Sequence, residues 1–383
     1  MLQLHQIISI NIKTAREACR ALKGSVLRHE VYALDGTTSQ NIPYTVEEKS
    51  YRLTKVQPLN PKVHAVFLVT ADQAIAYQYE RNAADPRILH TLTLETDAWG
   101  NPLKSAQVAY PRRNCTEILT EQQQLHVVVT QNQYINQSNL LQHRIGVLCQ
   151  TQQFELTGIA LQSPFTVQSL NAAFDQATEI DYATAPTTGI QKRCFAHSRT
   201  YFYNSACTER LPLGQIAGHG LVYSGAQADI TAALLTQIQQ TRPELTAIVL
   251  TTEGKYIAED SKYWIPTEVA VFEPTVFYLP TQIVDQFGNS TTLQYDGYKL
   301  FATTTTNALG HVTTAQYDYR VLQPKQITDP NGNHQRAQYN TLGLLAAQAV
   351  AGKNGEGDTL QNPTTQYQYN FDNFRNNQLP VYV

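Results

Sequence analysis

The sequence predicts a mainly β protein: a long, wound antiparallel sheet of hairpins with a few short helices. Three observations predict it. Only 15% of the 383 residues are charged, whereas Tyr alone occurs 22 times and Met once. Soluble domains usually carry about a quarter charged residues. Here Gln, Thr, Asn and Tyr fill the difference, and Thr and Tyr favour strands over long helices. The second observation is apolar–polar alternation over much of the chain. The third is a threefold internal repeat near the C-terminus. A helical bundle is excluded by the composition. Disorder is excluded by 9% aromatic residues and a net charge of only −3.

In chain order, a helix is expected over Arg16–Lys23, capped by Thr14 and stopped by Gly24. From Val26 to Arg81 the chain alternates, as in Tyr51-Arg52-Leu53-Thr54 and His64–Val69, with Asp35-Gly36 as a turn signal. Residues 82–113 read as two strands around the turn Asp97–Asn101. Leu92, Leu94 and Thr96 share one face, and Thr91, Thr93 and Glu95 the other. Strands are expected again over Leu125–Thr130 and Arg144–Leu156. Two helices follow, over 167–176 with Leu170, Ala173 and Phe174 on one face, and over 226–240 with Ile230, Ala233, Leu234 and Ile238 on one face. Strands resume from Ala247.

The repeat is the strongest signal. Asp285–Asp296, Asn307–Asp318 and Asp329–Asn340 align without gaps, and Gly288, Gly310 and Gly332 recur every 22 residues. Gln294, Gln316 and Gln338 keep that spacing, and so do Tyr295, Tyr317 and Tyr339. A polar residue, two variable residues and Gly fit a tight turn with the Gly at positive φ. A strand of about seven residues then runs to Tyr-Asp or Tyr-Asn, and a second strand returns. A lone hairpin is marginal in water, so the units must pair into one sheet, with their tyrosines at corresponding places.

Tyr295-Asp296 and Tyr317-Asp318, in this register, resemble the Rhs or YD repeat. The stretches Phe277–Thr281, Asp285–Asn289, Tyr317–Pro324 and Thr328–Asn333 resemble the B component of bacterial insecticidal toxin complexes. So do Arg20–Gly24, Leu27–Tyr32, Tyr79–Asn82, Asp85–Ile88 and Tyr110–Arg113. The resemblance implies a hollow β-shell, made jointly with a C component that carries an Rhs core and a variable toxin domain. A propeller on the B component would close the shell and dock the A component, and the family's aspartyl protease belongs to the C component. Against that pattern the chain reads as an internal or C-terminal shell segment, without the upstream propeller. Three stretches are expected, 1–113, 114–270 with short helices, and 271–383 with the repeat hairpins, in one continuous architecture.

Other constellations are weaker. Cys194 and His197 have a metal-like spacing with Cys207 near, but no second pair of ligands. Cys19, Cys115, Cys149, Cys194 and Cys207 are odd in number and scattered, as buried free thiols are. His219 between two glycines fits a turn better than a general base, with no nucleophile elbow in support. Glu95 and Asp97, two apart on one presumed strand, are solvated carboxylates rather than an acid–base pair. Asp329-Pro330-Asn331-Gly332 reads as a turn. Asn114, Asn136 and Asn289 begin glycosylation sequons of background frequency. No phosphate loop occurs.

No catalytic residue, metal or cofactor is therefore expected, and no nucleic-acid partner. The first residues do not form a signal peptide and no run approaches about 18 apolar residues, so the chain is expected to be made in the bacterial cytoplasm, without membrane insertion by this chain. The resemblance implies release or secretion as part of a toxin complex. The expected role is structural: a wall, weakly polar on its inner face, around a toxic polypeptide. The alternative is an Rhs-type surface adhesin or carbohydrate-binding protein.

Overall fold

The computed structural model describes residues 12–61, 63–113, 119–140, 142–381 and 383; Asn114 and Cys115 lie outside them. The chain divides near Pro266 into two units, each built on one sheet.

The first unit begins with α1 (Ile12–Ala21). Seven strands follow as a meander: β1 (Arg28–Val31), β2 (Thr45–Gln57), β3 (Val66–Gln78), β4 (Arg87–Thr96), β5 (Pro102–Ala109), β6 (His126–Ser138) and β7 (His143–Thr157). After α2 (Val167–Gln176) come β8 (Thr178–Ile180), β9 (Gln191–Phe202), β10 (Val222–Thr231), α3 (Ala232–Gln239), α4 (Ala247–Thr252), β11 (Ile257–Glu259) and β12 (Lys262–Pro266). The sheet order continues β7-β9-β10-β12-β11, with β8 parallel to β9.

The core sits where alternation places it. Leu92 and Leu94 of β4, Ala106 and Val108 of β5, Val127 and Val129 of β6, and Phe154 and Leu156 of β7 form one buried face. Helix α2 covers that face with Leu170 and Phe174. Thr166 and Ser169 start the helix as a reciprocal capping box. The Phe174 ring meets Phe154 edge-on at 5.4 Å and lies 4.3 Å from the Lys192 ammonium. Lys104 Nζ donates to Asn171 Oδ1 (3.3 Å) and Asp175 Oδ1 (3.2 Å), fixing the outer face of the helix.

Polar groups buried beside this core find partners. The Tyr110 hydroxyl accepts the Phe165 N–H (3.0 Å) and lies 3.2 Å from His90 Nδ1, while His90 Nε2 lies 3.1 Å from Gln73 Oε1. Asp85, 2% exposed, accepts from Arg112 Nε (2.9 Å) and from the Arg113 N–H (2.8 Å). Two of the runs quoted above, 85–88 and 110–113, thus meet through one carboxylate.

Three helix expectations need correction. Helix α1 starts at Ile12, so Thr14 is inside it and buried, not a cap. Residues 226–231 extend β10, because Ala226 and Ala228 pair with Pro266 and Trp264. The helix begins only at Ala232, where the Thr231 hydroxyl accepts the Leu234 N–H (3.1 Å). Ala247–Thr252 is a helix, capped by Thr246 and anchored by buried Leu250, although its Ile and Val suggest a strand. Short apolar runs do not separate the two by periodicity.

The second unit is a meander of nine strands: β13 (Val269–Glu273), β14 (Leu279–Val284), β15 (Ser290–Tyr295), β16 (Ala302–Thr306), β17 (Val312–Asp318), β18 (Gln323–Thr328), β19 (His334–Tyr339), β20 (Leu345–Ala351) and β21 (Thr365–Gln366). A short helix, α5 (Asn373–Asn377), follows.

Phe174→Ala removes the ring on which the first core closes. Urea unfolding followed by circular dichroism is expected to give a loss of about 3–5 kcal/mol.

Candidate functional site

The repeat sheet is built from turns that cap themselves. Asp285–Asn289, Asn307–His311 and Asp329–Asn333 join β14 to β15, β16 to β17 and β18 to β19. In each, Oδ1 of the first residue accepts the N–H groups two and four residues on. The distances are 2.9 and 2.8 Å for Asp285, 3.0 and 2.9 Å for Asn307, and 2.9 and 2.8 Å for Asp329. Gly288, Gly310 and Gly332 take φ of +85°, +77° and +86°, and each donates its N–H to the first residue's carbonyl. Nothing lies within 4 Å of a Cβ built at Gly288 or Gly310, so the backbone angle alone demands glycine there.

The Gln-Tyr pair marks a second device. Opposite each pair the returning strand bulges. Gln294 faces Thr304 but Tyr295 faces Ala302; Gln316 faces Gln326 but Tyr317 faces Pro324; Gln338 faces Ala347 but Tyr339 faces Leu345. The extra residues are Thr303, Lys325 and Ala346. Strand β14 carries the same irregularity at Thr281. A bulge interrupts the ladder and leaves backbone groups to be satisfied otherwise. The tyrosines do this for the preceding strand. Tyr295, Tyr317 and Tyr339 donate their hydroxyls to the carbonyls of Pro280 (2.8 Å), Ala302 (3.1 Å) and Pro324 (2.9 Å), each 15 residues back and each just before a bulged residue. One tyrosine therefore spans three strands: it sits in its own, pairs with the next and bonds the one before.

At the other end of the hairpins the repeat aspartates tie neighbouring turns. Asp296, 8% exposed, accepts the N–H groups of Leu300 (2.8 Å) and Phe301 (3.2 Å), and the Tyr319 hydroxyl at 2.5 Å. Burial opposes its ionisation, but these donors hold its carboxyl below the usual range, and Asp296 pushes Tyr319 up to about 12. Asp318 accepts the Arg320 N–H (2.9 Å), and the Arg320 guanidinium reaches the Asn340 carbonyl (2.8 Å) in the next turn. Phe301 stacks on Tyr317 with centroids 4.2 Å apart.

One face of this sheet is mainly polar, with Val312, His334 and Arg336 among its Thr and Gln side chains. In register, Gln282, Thr292 and Thr306 form one row, and Gln294, Thr304, Thr314 and Thr328 the next. Gln316, Gln326 and Arg336 form a third, in which Arg336 donates to Gln326 Oε1 at 3.0 Å.

The remaining candidates fall elsewhere. The Gly218-His219-Gly220 turn is clasped by Arg144, which donates to the carbonyls of Ala217 (2.9 Å) and Gly218. Strand β4 ends at Thr96, so Asp97 leaves Glu95; Glu95 approaches Lys104 at 3.9 Å. Asn136 donates to Asp97 Oδ2 (2.7 Å), and Asn289 to Asp285 Oδ2 (2.9 Å). Burial raises the thiol of Cys194 and that of Cys149. Among the described residues no three of His, Cys, Asp and Glu converge as a metal would need, and no helix is long and apolar enough to cross a membrane.

Residues 17–159 match the family model of the insecticide toxin TcdB middle/C-terminal region. The resemblance to the toxin-complex B component is borne out. Solved structures match at the level of fold. The TcdB2–TccC3 complex aligns with a TM-score of 0.69 and 21% identity, over 98% of this chain and 19% of that one. A structure of TcdB2–TccC3–Cdc42 gives the same values. The Photorhabdus luminescens Tc holotoxin pore aligns with a TM-score of 0.68 and 21% identity, over 98% of this chain and 18% of that one. The chain thus spans about a fifth of the length of these B-component structures. No curated protein matches it.

Two further copies of the self-capping turn escaped the 22-residue alignment. Asp97 Oδ1 accepts from Trp99 and Asn101, both at 2.9 Å, with Gly100 at φ +87°. Asn340 Oδ1 accepts from Leu342 and Leu344, both at 3.0 Å, with Gly343 at φ +84°. Asp or Asn three residues before Gly was the available signal. A fourth tyrosine, Tyr369, donates to the Leu345 carbonyl (2.8 Å), just before bulged Ala346, but off the period and so without a signal.

Tyr317→Phe leaves the Ala302 carbonyl without its donor and is expected to cost about 1 kcal/mol in urea unfolding. The Asn289 and Asn333 amides, with the turn N–H groups, hold Asp285 and Asp329 below the usual carboxyl range. A depressed carboxyl stabilises above its unfolded value near 3.8 and loses that contribution as pH falls through its folded value. The double variant Asp285→Asn, Asp329→Asn should therefore flatten the acid limb of a thermal-melting profile, and leave the neutral limb nearly unchanged.

Proposed function

We propose that the chain is a structural, non-enzymatic segment of a hollow shell of the toxin-complex B type. The shell walls off a toxic polypeptide supplied by a C component, itself an Rhs core with a variable toxin domain. Stretches 1–113, 114–270 and 271–383 are consecutive lengths of this wall. The A component docks elsewhere on the B component, and the chain is released within the assembled complex. It needs no cofactor, binds no nucleic acid and inserts in no membrane.

The observation that carries this reading is the alignment of 98% of the chain with TcdB2 in TcdB2–TccC3. The family match over 17–159 supports it independently. The chemistry of containment supports it too. A wall must close its own backbone hydrogen bonds without help from the cargo, and the capped turns and tyrosine-bonded bulges do so. Its inner surface should neither grip apolar segments nor attract charge. The face made mainly of Thr and Gln suits both requirements, and we assign it to the lumen.

The test grafts this chain into TcdB2 in place of the aligned stretch and assembles it with a C component. The payload should resist added protease as it does in the parent complex. Thr314→Cys should react with a bulky maleimide in the free chain and be shielded in the assembly, read by peptide mass spectrometry. A degraded payload sinks the shell role, and equal labelling in both states sinks the lumenal assignment.

A further inference from the structure

His197 lies on β9 at 5% exposure and has no part in the wall chemistry above. Its Nδ1 stands 3.2 Å from Lys262 Nζ on β12. An ammonium offers only hydrogens, so Nδ1 must present its lone pair and the ring proton sits on Nε2. Nε2 has no hydrogen-bond partner. The ring instead meets Trp264 edge-on, with centroids 4.6 Å apart.

Trp264 is 1% exposed, and its indole N–H donates to the Glu259 carbonyl at 3.0 Å. The Arg199 guanidinium covers its ring at 4.2 Å. Strand β10 runs between β9 and β12, and its Ala226 and Ala228 pair with Pro266 and Trp264. These small side chains let β9 and β12 meet across the middle strand.

His197 has the Lys262 ammonium in direct contact, while the nearby carboxylates engage Arg199. Arg199 faces it from β9 and Lys262 from β12. Asp260, in the β11–β12 turn, pairs with Arg199, and Glu259 lies 3.6 Å from the same guanidinium. From β7, uncharged Gln152 stands opposite in the register. Near Lys262 lies the neutral Cys194 thiol, with Glu179 of β8 beyond it. Burial, then Lys262 and Arg199, push the imidazole down to about 3 against the pull of Asp260.

We propose that His197 and Lys262 form an acid-sensitive clasp: it holds the β11–β12 hairpin on the sheet while the imidazole is neutral and releases it on protonation. A proton on Nδ1 sets two cationic donors face to face with no acceptor between them. Lys262 must then swing away, and it carries the strand that holds Trp264. Against this stand the buried Trp264 and five register pairs between β10 and β12. Yet strand β11 pairs with β12 over three residues, and the β10–β12 register is broken between Ala228 and Ile230. The sign follows from the depressed imidazole. The closed form is favoured fully above the ordinary value of 6.5, and its advantage falls as pH drops from there toward about 3.

The chain has two tryptophans, so Trp99→Phe leaves Trp264 as the fluorescent reporter. In that background, acidification should shift Trp264 emission to the red before far-ultraviolet circular dichroism falls. His197→Gln should abolish the step. Lys262→Met, which keeps the histidine but removes the cation facing it, should abolish the step as well. A step that survives His197→Gln or Lys262→Met, or that coincides with the loss of circular dichroism, overturns the clasp.

Discussion

Backbone carbonyls at irregular strand positions are the constraint on which the repeat sheet depends. Nine strands in a row accumulate twist, and bulges are the usual means of adjusting it. Each bulge breaks the ladder and strips a carbonyl of its partner. In a sheet partly closed to water, an unpaired carbonyl costs about as much as a lost hydrogen bond. The tyrosine hydroxyls remove that cost at Pro280, Ala302 and Pro324. A phenylalanine would fill the same space and leave the carbonyl unmet. This accounts for tyrosine rather than phenylalanine at 295, 317 and 339.

The turns solve the matching problem at the strand ends. A carboxylate or amide at the first position folds back onto two N–H groups, replacing an absent neighbouring strand with a side chain. Asp and Asn serve equally in geometry, as Asp285 and Asn307 demonstrate, but only Asp brings a charge. The same turn at Asp97–Asn101 in the first unit marks it as a local solution independent of the repeat.

What was legible in the sequence follows from this division. Turns are local, so Gly288, Gly310 and Gly332 declared themselves by spacing, and Leu92 and Leu94 declared a buried face by alternation. Helix α2 was legible because its apolar face and length agree. Bulges are not local. Whether Thr303 stands opposite nothing depends on a register no single strand encodes, so the tyrosines read as packing and their hydroxyls went unnoticed. Residues 226–231 look helical in isolation, and only the pairing of Ala228 with Trp264 makes them strand. His197 was singled out with Cys194 for metal spacing. Its actual neighbour, Lys262, is 65 residues away and invisible to any motif.

The low charge that first distinguished the composition now has a place. In the repeat sheet the ionised groups collect at turns and hairpin ends, where Asp285, Asp296, Asp318, Arg320 and Asp329 each engage backbone or a neighbouring turn. The broad face is left mainly to Thr and Gln, with Val312, His334 and Arg336 among them. In the proposed shell, charged side chains spread across this face would focus a field on the cargo, and exposed apolar rows would bind an unfolded chain. Threonine and glutamine avoid both and still favour or tolerate the extended backbone. Arg336 tests the rule from within: it lies on that face, but its guanidinium donates to Gln326 along the sheet, so its hydrogen-bonding capacity turns toward the wall.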